Sequence, residues 1–487
     1  MAESATLFFM PFLEKQALLA FGRWIEYSWR NNLQLLASAS CNYPGRYPLM
    51  HRVQWLSLFL FVLAQALLAG CAVNPVTGKS ELAFYSMSEQ EEVSLGKKAF
   101  PEAIQRMQGE YDDQHLKEYV SAVGMRLAKI SQRPNLDYTF KVVNDSSPNA
   151  FAMPGGNIAI TRGLLVALEN EAQLAAVLGH ELGHVTARHS VQNLQRGMLL
   201  NVGLQVLSVS SSGTSYSGVA RQAGQIAGSI LDSSYSREQE READRLGIDY
   251  MVKGHYSPKG AVELQEFLAK KGGEGDSQWL QGLFRTHPFS KERMLDNQYY
   301  IDTRYSWAMN NEEYASGAGD FQRAMEPLRK TKEAYGDYDK AREKEQAKDL
   351  AGAIALYEQA VYKAAEQGLL QSALGMAHLK NNNQAEAKKY LTKAVQLDGD
   401  YYESHFGLGY LYLKENNPVL AKEHLQKSMK LMPTLNSAFF LAESYEKTGE
   451  IAKAQTLYGQ VAAADPGGNL GRPAASRARA LGDGGRR

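Results

Sequence analysis

At 487 residues the chain is longer than one hydrophobic core normally spans, so two or more domains are expected. Its 53 Lys and Arg balance 53 Asp and Glu, which argues against the basic surface of a dedicated nucleic-acid binder. The two cysteines, Cys41 and Cys71, exclude a thiolate metal cluster and leave any metal to histidine and carboxylate ligands.

Residues 1–49 hold apolar and aromatic patches without a motif and read as an extension upstream of the true start at Met50. From there, His51 and Arg52, an apolar run over 53–68 and Leu68-Ala69-Gly70-Cys71 resemble a bacterial lipoprotein signal, with Cys71 as the lipidated first residue of the mature chain. A plain transmembrane anchor is the weaker reading, because the run is short for a span and Gln65 interrupts it. Cleavage at Cys71 also removes Cys41 and leaves no disulfide. Ala72, standing where Asp would retain the protein at the inner membrane, resembles an outer-membrane sorting signal.

A turn-rich tether, Asn74-Pro-Val-Thr-Gly78, follows. Amphipathic spacing predicts helices over 89–100 and 116–130, and residues 136–143 alternate as a strand. Asn149-Ala-Phe-Ala-Met-Pro-Gly-Gly156 and Ile158-Ala-Ile-Thr161 read as strand, tight turn, strand. Residues 149–160 are a candidate edge for pairing with an extended peptide; an ordinary hairpin packed on the next helix is the equal alternative.

That next helix, from Glu171, contains Val177-Leu-Gly-His-Glu-Leu-Gly-His184, with Leu174, Val177, Leu178, Leu182 and Val185 at helical spacing. His180 and His184 are four apart and share a face, as two ligands of a catalytic zinc require, while Glu181 is free to take a proton from water. A Gly- and Ser-rich stretch over 199–235 reads as a flap or a passive linker. Beyond it, Ser236-Arg-Glu-Gln-Glu-Arg-Glu-Ala-Asp-Arg-Leu-Gly247 begins a second helix with three candidate third ligands, Glu238, Glu240 and Glu242. Glu240 and Asp244 share a face, so one can bind metal while the other orients an imidazole; Ala243 and Gly247 permit close helix approach. A solvated charged face is the competing reading of this run.

Together, H-E-L-G-H, E-R-E-A-D-R-L-G and N-A-F-A-M-P-G-G resemble the HtpX and BepA group of zinc metallopeptidases, with the CAAX-prenyl proteases as distant relatives. The resemblance implies an α+β zincin-like (gluzincin) catalytic domain over 72–315, one zinc ion, a third ligand at Glu240 and a supporting role for Asp244. It also implies that Thr286-His287-Pro288 returns to the cleft, where His287 would donate to the oxyanion or occupy the open metal position; Arg293 is a weaker candidate nearby. No run after the signal is long enough to span a membrane, so the nearer analogy is the lipid-tethered BepA type rather than the membrane-spanning HtpX type.

After residue 320 the composition shifts to Ala, Lys, Glu, Gln and Tyr. Ala353, Tyr357 and Ala360 recur as Ala387, Leu391 and Ala394, as Ala421, Leu425 and Ser428, and as Ala454, Tyr458 and Val461. This spacing is the tetratricopeptide (TPR) pattern and predicts an all-α solenoid over 325–466 whose concave surface binds a partner. The Gly-, Ala- and Arg-rich tail, 467–487, reads as disordered.

The combined expectation is a zinc metalloendopeptidase of the bacterial periplasm, lipid-anchored through Cys71 at the outer membrane, with His180, His184 and Glu240 as ligands and Glu181 and His287 as catalytic groups. Its substrates would be unfolded or misassembled proteins, and its repeats would engage an outer-membrane assembly complex; no nucleic-acid partner is expected. A chaperone or assembly factor with secondary proteolysis, and an envelope scaffold with a vestigial site, are the alternatives.

Overall fold

The structure, a computed structural model, describes residues 71–73, 80–82, 87–196, 227–273, 277–309, 311, 313, 314 and 317–484. The extension 1–49, the signal-like segment to Gly70, the tether from Asn74 to Gly78 and residues 197–226 of the Gly- and Ser-rich stretch lie outside the described residues. Cys71 begins β1 (Cys71–Val73), which pairs antiparallel with β2 (Ser80–Leu82) as a hairpin by itself.

The remaining described residues belong to a second unit. It begins with α1 (Glu89–Arg106), started by a capping box: Ser88 Oγ accepts from the Glu91 N–H, and the Glu91 carboxylate accepts from the Ser88 N–H. The helix runs past its expected end at Phe100, because Ala103 and Ile104 extend the buried stripe beyond Pro101. α2 (Gln114–Ala128) then leads to a three-stranded sheet in the order β3-β5-β4. β3 (Thr139–Val143) runs parallel to β5 (Asn157–Thr161), and β4 (Ala150–Met153) runs antiparallel to it. Gly155 and Gly156, at φ 77° and 92°, make the β4–β5 turn in a region that other residues enter only with strain. Every residue of β4 and β5 is buried, so the sheet is covered on both faces.

Short α3 (Arg162–Ala167) precedes α4 (Glu171–Thr186), whose N-terminus is capped by Asn170 accepting from the Gln173 N–H. α4 packs on β4 and is crossed by α5 (Arg237–Lys253). α6 (Lys259–Gly273), α7 (Ser277–Thr286) and α8 (Lys291–Arg304) close the far side.

The carboxyl-terminal region is helical throughout, as four antiparallel pairs: Glu326–Gln346 with Leu350–Lys363, Gly368–Lys380 with Gln384–Leu397, Tyr402–Lys414 with Pro418–Leu431, and Leu435–Lys447 with Ile451–Ala464. Each pair turns through one residue in the left-handed region: Lys348, Asn382, Asn416 and Gly449, at the register of the sequence repeat. Asp349, Asn383 and Asn417 follow directly and cap the second helices. Gly375 and Gly409 admit Leu391 and Leu425, whose atoms would lie 2.7 and 2.5 Å from an added Cβ.

The tail departs from expectation, because Gly471–Gly484 is a helix packed on Ile451–Ala464. Ala474 is fully buried, and Ala478 and Leu481 pack beside it against Tyr458 and Val461. A composition poor in large apolar residues reads as disorder, yet this one stripe covers the face that the last repeat would otherwise leave bare.

Candidate metal centre

The polar cluster forms where α4 and α5 touch backbone to backbone. A Cβ added to Gly183 would lie 2.8 Å from the Ala243 carbonyl oxygen, and one added to Gly247 would lie 2.8 Å from the His180 nitrogen. Small residues therefore set the interhelical distance, and that distance lets Glu240 reach the two histidines.

The Nε2 atoms of His180 and His184 lie 3.0 Å apart. The Glu240 carboxylate approaches His184 Nε2 at 3.4 Å and His180 Nε2 at 3.6 Å. His287 follows α7 directly, and its Nδ1 lies 3.1 Å from Glu240 Oε1 and 3.3 Å from His180 Nε2. Candidate ligand atoms of His180, His184, Glu240 and His287 all fall within 4.8 Å of one another. Glu181 sits beside them, with Oε1 3.4 Å from His287 Nε2.

A surrounding layer holds these groups in place. His180 Nδ1 lies 2.9 Å from Asp244 Oδ1. Since the carboxylate only accepts, Nδ1 carries the proton and Nε2 presents its lone pair to the cluster. Arg293 binds Asp244 through Nε and Nη2 at 2.7 and 2.8 Å and also contacts Glu240. Asn297 donates to Asp244 Oδ2 at 2.8 Å. Behind His184, its Nδ1 meets His189 Nδ1 at 2.9 Å, and His189 Nε2 lies 3.4 Å from Glu242 Oε2. Tyr235 stacks on the His184 ring with centroids 3.7 Å apart, and its hydroxyl bonds Ser190.

Electrostatics follow from burial and close charge. Burial raises the Glu181 carboxyl above the ordinary range, against the pull of His287 and His180. Burial acts in the same direction on Glu240, but His287, His180 and His184 outweigh it and hold the group well below its usual value. Asp244 is likewise lowered against burial, chiefly by Arg293. Burial pushes His184 down. For His287 the carboxylates of Glu181 and Glu240 overcome burial and raise it to about 9.

Several imidazoles and a carboxylate aimed at one another in a largely buried cluster form the donor set of a divalent transition metal. Two buried atoms, Glu181 Oε2 and His287 Nε2, have no hydrogen-bond partner among the described residues. Buried polar atoms are normally paired, so these two lack a partner that a bound ion or ligand would supply. The residues present fit a metal.

Every residue expected at the site by number is therefore placed: His180, Glu181, His184, Glu240, Asp244 and His287 come together, and Arg293 joins them. Of the two other carboxylates considered, Glu238 is exposed and Glu242 meets His189. His189, Tyr235 and Asn297 escape a sequence reading. His189 is five residues from His184, off its helical face; Arg188 at φ 60° turns the chain so that the ring faces back.

Comparison with known proteins converges on this region. The pattern of Peptidase family M48 matches residues 114–299, a span containing every residue of the centre, and that of the Tetratricopeptide repeat matches 370–401. The chain is 30% identical over 243 residues to mitochondrial metalloendopeptidase OMA1 of Schizosaccharomyces pombe, covering 47% of this chain and 68% of that protein. It is 34% identical over 178 residues to metalloprotease YcaL of Escherichia coli, covering 36% of this chain and 68% of that protein. With the beta-barrel assembly-enhancing protease of Escherichia coli it shares 30% identity over 190 residues, 38% of this chain but only 39% of that protein's length. By these likenesses the chain belongs to peptidase family M48 and is a metalloprotease.

Proposed function

We propose that this chain is a zinc-dependent endopeptidase of the bacterial cell envelope that cleaves unfolded or misassembled proteins, with domain limits near 72–315 and 325–466. The convergence of His180, His184 and Glu240 carries the reading, and these three would hold the zinc. When bound, zinc supplies Lewis-acid polarisation of a carbonyl and acidifies water. Glu181, raised by burial, takes the proton of the attacking water and returns it to the leaving amine. Asp244 holds the His180 tautomer, and Arg293 and Asn297 hold Asp244. His287 lies beside these groups, where it would either donate a hydrogen bond to the oxyanion or supply a fourth nitrogen to the metal. Among the described residues β4 pairs with β5 on one side only, and its other edge would take an extended peptide, although Ser190 Oγ already bonds the Ala152 carbonyl.

The envelope assignment rests on the lipoprotein-like signal ending at Cys71 and on the name of the assembly-enhancing relative. The repeats would bring a substrate or an outer-membrane assembly partner to the peptidase region.

The test is metal analysis beside digestion of an unfolded protein, wild type against Glu181→Gln. The variant is expected to bind zinc stoichiometrically and to lose roughly a hundredfold or more of the cleavage rate. Undiminished cleavage with zinc retained would remove Glu181 from the mechanism.

A further inference from the structure

Glu240, Glu242 and Asp244 stand at alternate positions of α5, and Glu242 is the one whose role the ligand set leaves open. Glu240 joins the two imidazoles, and Asp244 meets His180 Nδ1 at 2.9 Å. Glu242 projects from another side of the helix and meets His189, with Oε2 3.4 Å from Nε2. His189 is fully buried, and its Nδ1 stands 2.9 Å from His184 Nδ1. It lies past the end of α4, and the reversal that swings its ring back is anchored elsewhere in the fold. Arg188, at φ 60°, donates from Nε to Glu92 Oε2 at 2.8 Å and from Nη2 to the Met87 carbonyl at 2.6 Å. Glu92 is itself buried and also accepts from Arg133. A non-glycine residue keeps a left-handed backbone only where its surroundings fix it, so the place of His189 is a built feature.

The direction of the protons follows from the carboxylate. A carboxylate only accepts, so the His189 proton sits on Nε2 and is donated to Glu242. Burial favours the uncharged imidazole, which has one N–H, and His189 Nδ1 is then left bare. A bare nitrogen 2.9 Å away calls for a donor, and His184 Nδ1 supplies the hydrogen. That leaves His184 Nε2 with its lone pair on the cluster, 3.0 Å from His180 Nε2. Glu240 Oε1, 3.4 Å from the same Nε2, pulls the proton the other way. Yielding to that pull would set two bare nitrogens face to face at 2.9 Å. Resting on the peptidase reading above, we infer that Glu242 and His189 are positioning residues that act in series on His184 and keep its Nε2 free for the metal. The two ligand histidines are thus fixed by different means, His180 directly by Asp244 and His184 through a second imidazole.

The experiment uses the full chain as wild type, His189→Leu, His189→Asn, Glu242→Gln and Glu242→Lys. Zinc affinity is read by titration against a fluorescent chelator. The protonated nitrogen of His184 is read by nitrogen NMR of histidine-labelled, metal-free protein, its signals identified by their loss in His184→Gln. His189→Leu fills the space without an acceptor and is expected to weaken zinc binding by roughly ten- to a hundredfold. His189→Asn returns an oxygen acceptor close to the former Nδ1 and is expected to recover most of that loss. Glu242→Gln keeps an acceptor and is expected to stay near wild type. Glu242→Lys offers only donors, reverses the chain and is expected to weaken zinc binding about tenfold. The His184 proton is expected on Nδ1 in the wild type and on Nε2 in Glu242→Lys. Glu242 is half-buried, so its variants carry the test even where a His189 variant fails to fold. His189→Asn no better than His189→Leu, Glu242→Lys no worse than Glu242→Gln, or a wild-type His184 proton on Nε2 overturns the inference and leaves the peptidase reading intact. A wild type that binds no zinc, with the His184 proton on Nδ1 and moved by Glu242→Lys, overturns the zinc-peptidase reading and leaves the positioning role standing.

Discussion

Asp244 shows how one residue acts on the candidate metal centre through another. It fixes the proton of His180 on Nδ1 and is itself held by two nitrogens of Arg293 and by Asn297. Removal of such a partner typically weakens metal binding by roughly ten- to a hundredfold. Asp244→Ala is therefore expected to lose zinc affinity by about that factor, measured by competition with a chromogenic chelator; an unchanged affinity would show that His180 needs no orienting partner. The sequence spacing pairs Asp244 with Glu240 on one face, but neither Arg293 nor His189 follows from spacing. Each arrives from another segment, and only chain reversal brings it in.

At the scale of elements, the centre depends on how near two helices come. Gly179 and Gly183 face Ala243 and Gly247 across the α4–α5 crossing, and the backbones leave no room for a side chain at Gly247. Forcing atoms into a packed contact of this kind costs about 1–3 kcal/mol. Gly247→Val is expected to lower stability by that order in denaturant unfolding and to weaken zinc binding as well, because a wider crossing draws Glu240 away from His180 and His184. Full zinc affinity in a folded variant would show that the crossing does not set the ligand distance. Much at this scale is legible beforehand: the helical stripe of α4, the strand–turn–strand at β4 and β5, and the repeat register that places Lys348, Asn382, Asn416 and Gly449 at successive turns. The tail helix is not, since its apolar stripe acquires meaning only against the exposed flank of the last repeat.

At the scale of the whole molecule, the peptidase region and the repeats share a core rather than meeting across a loose linker. Tyr335 lies fully buried between Tyr111, whose ring centroid is 6.3 Å away, and Arg162, whose guanidinium stands 3.7 Å over its face. Tyr338 donates to Gln108 Oε1 at 2.7 Å, and the Gln105 side chain bonds the backbone at both Asp400 and Tyr402. Tyr335→Ala is expected to destabilise by about 3–5 kcal/mol and to lower the midpoint of both regions together, read by denaturant unfolding with probes in each. A repeat transition that shifts alone would show that the two parts fold independently. The shared core gives the repeats a fixed bearing on the peptidase region.

Local spacing along the chain determined which residues can meet on one helix: the two imidazoles, the neighbouring Glu181, the paired Glu240 and Asp244, and the repeat unit with its small residues. These are readable because a helix converts sequence separation into direction at fixed periodicity. Spacing alone left open what requires two segments to meet, and tertiary structure shows it: Glu240 rather than Glu238 or Glu242 beside the two imidazoles, Arg293 and His189 around them, and the burial of Tyr335 between the two regions. Sequence distance carries no information about such contacts. Interhelical packing, set by glycines and by the reversal at Arg188, supplies it.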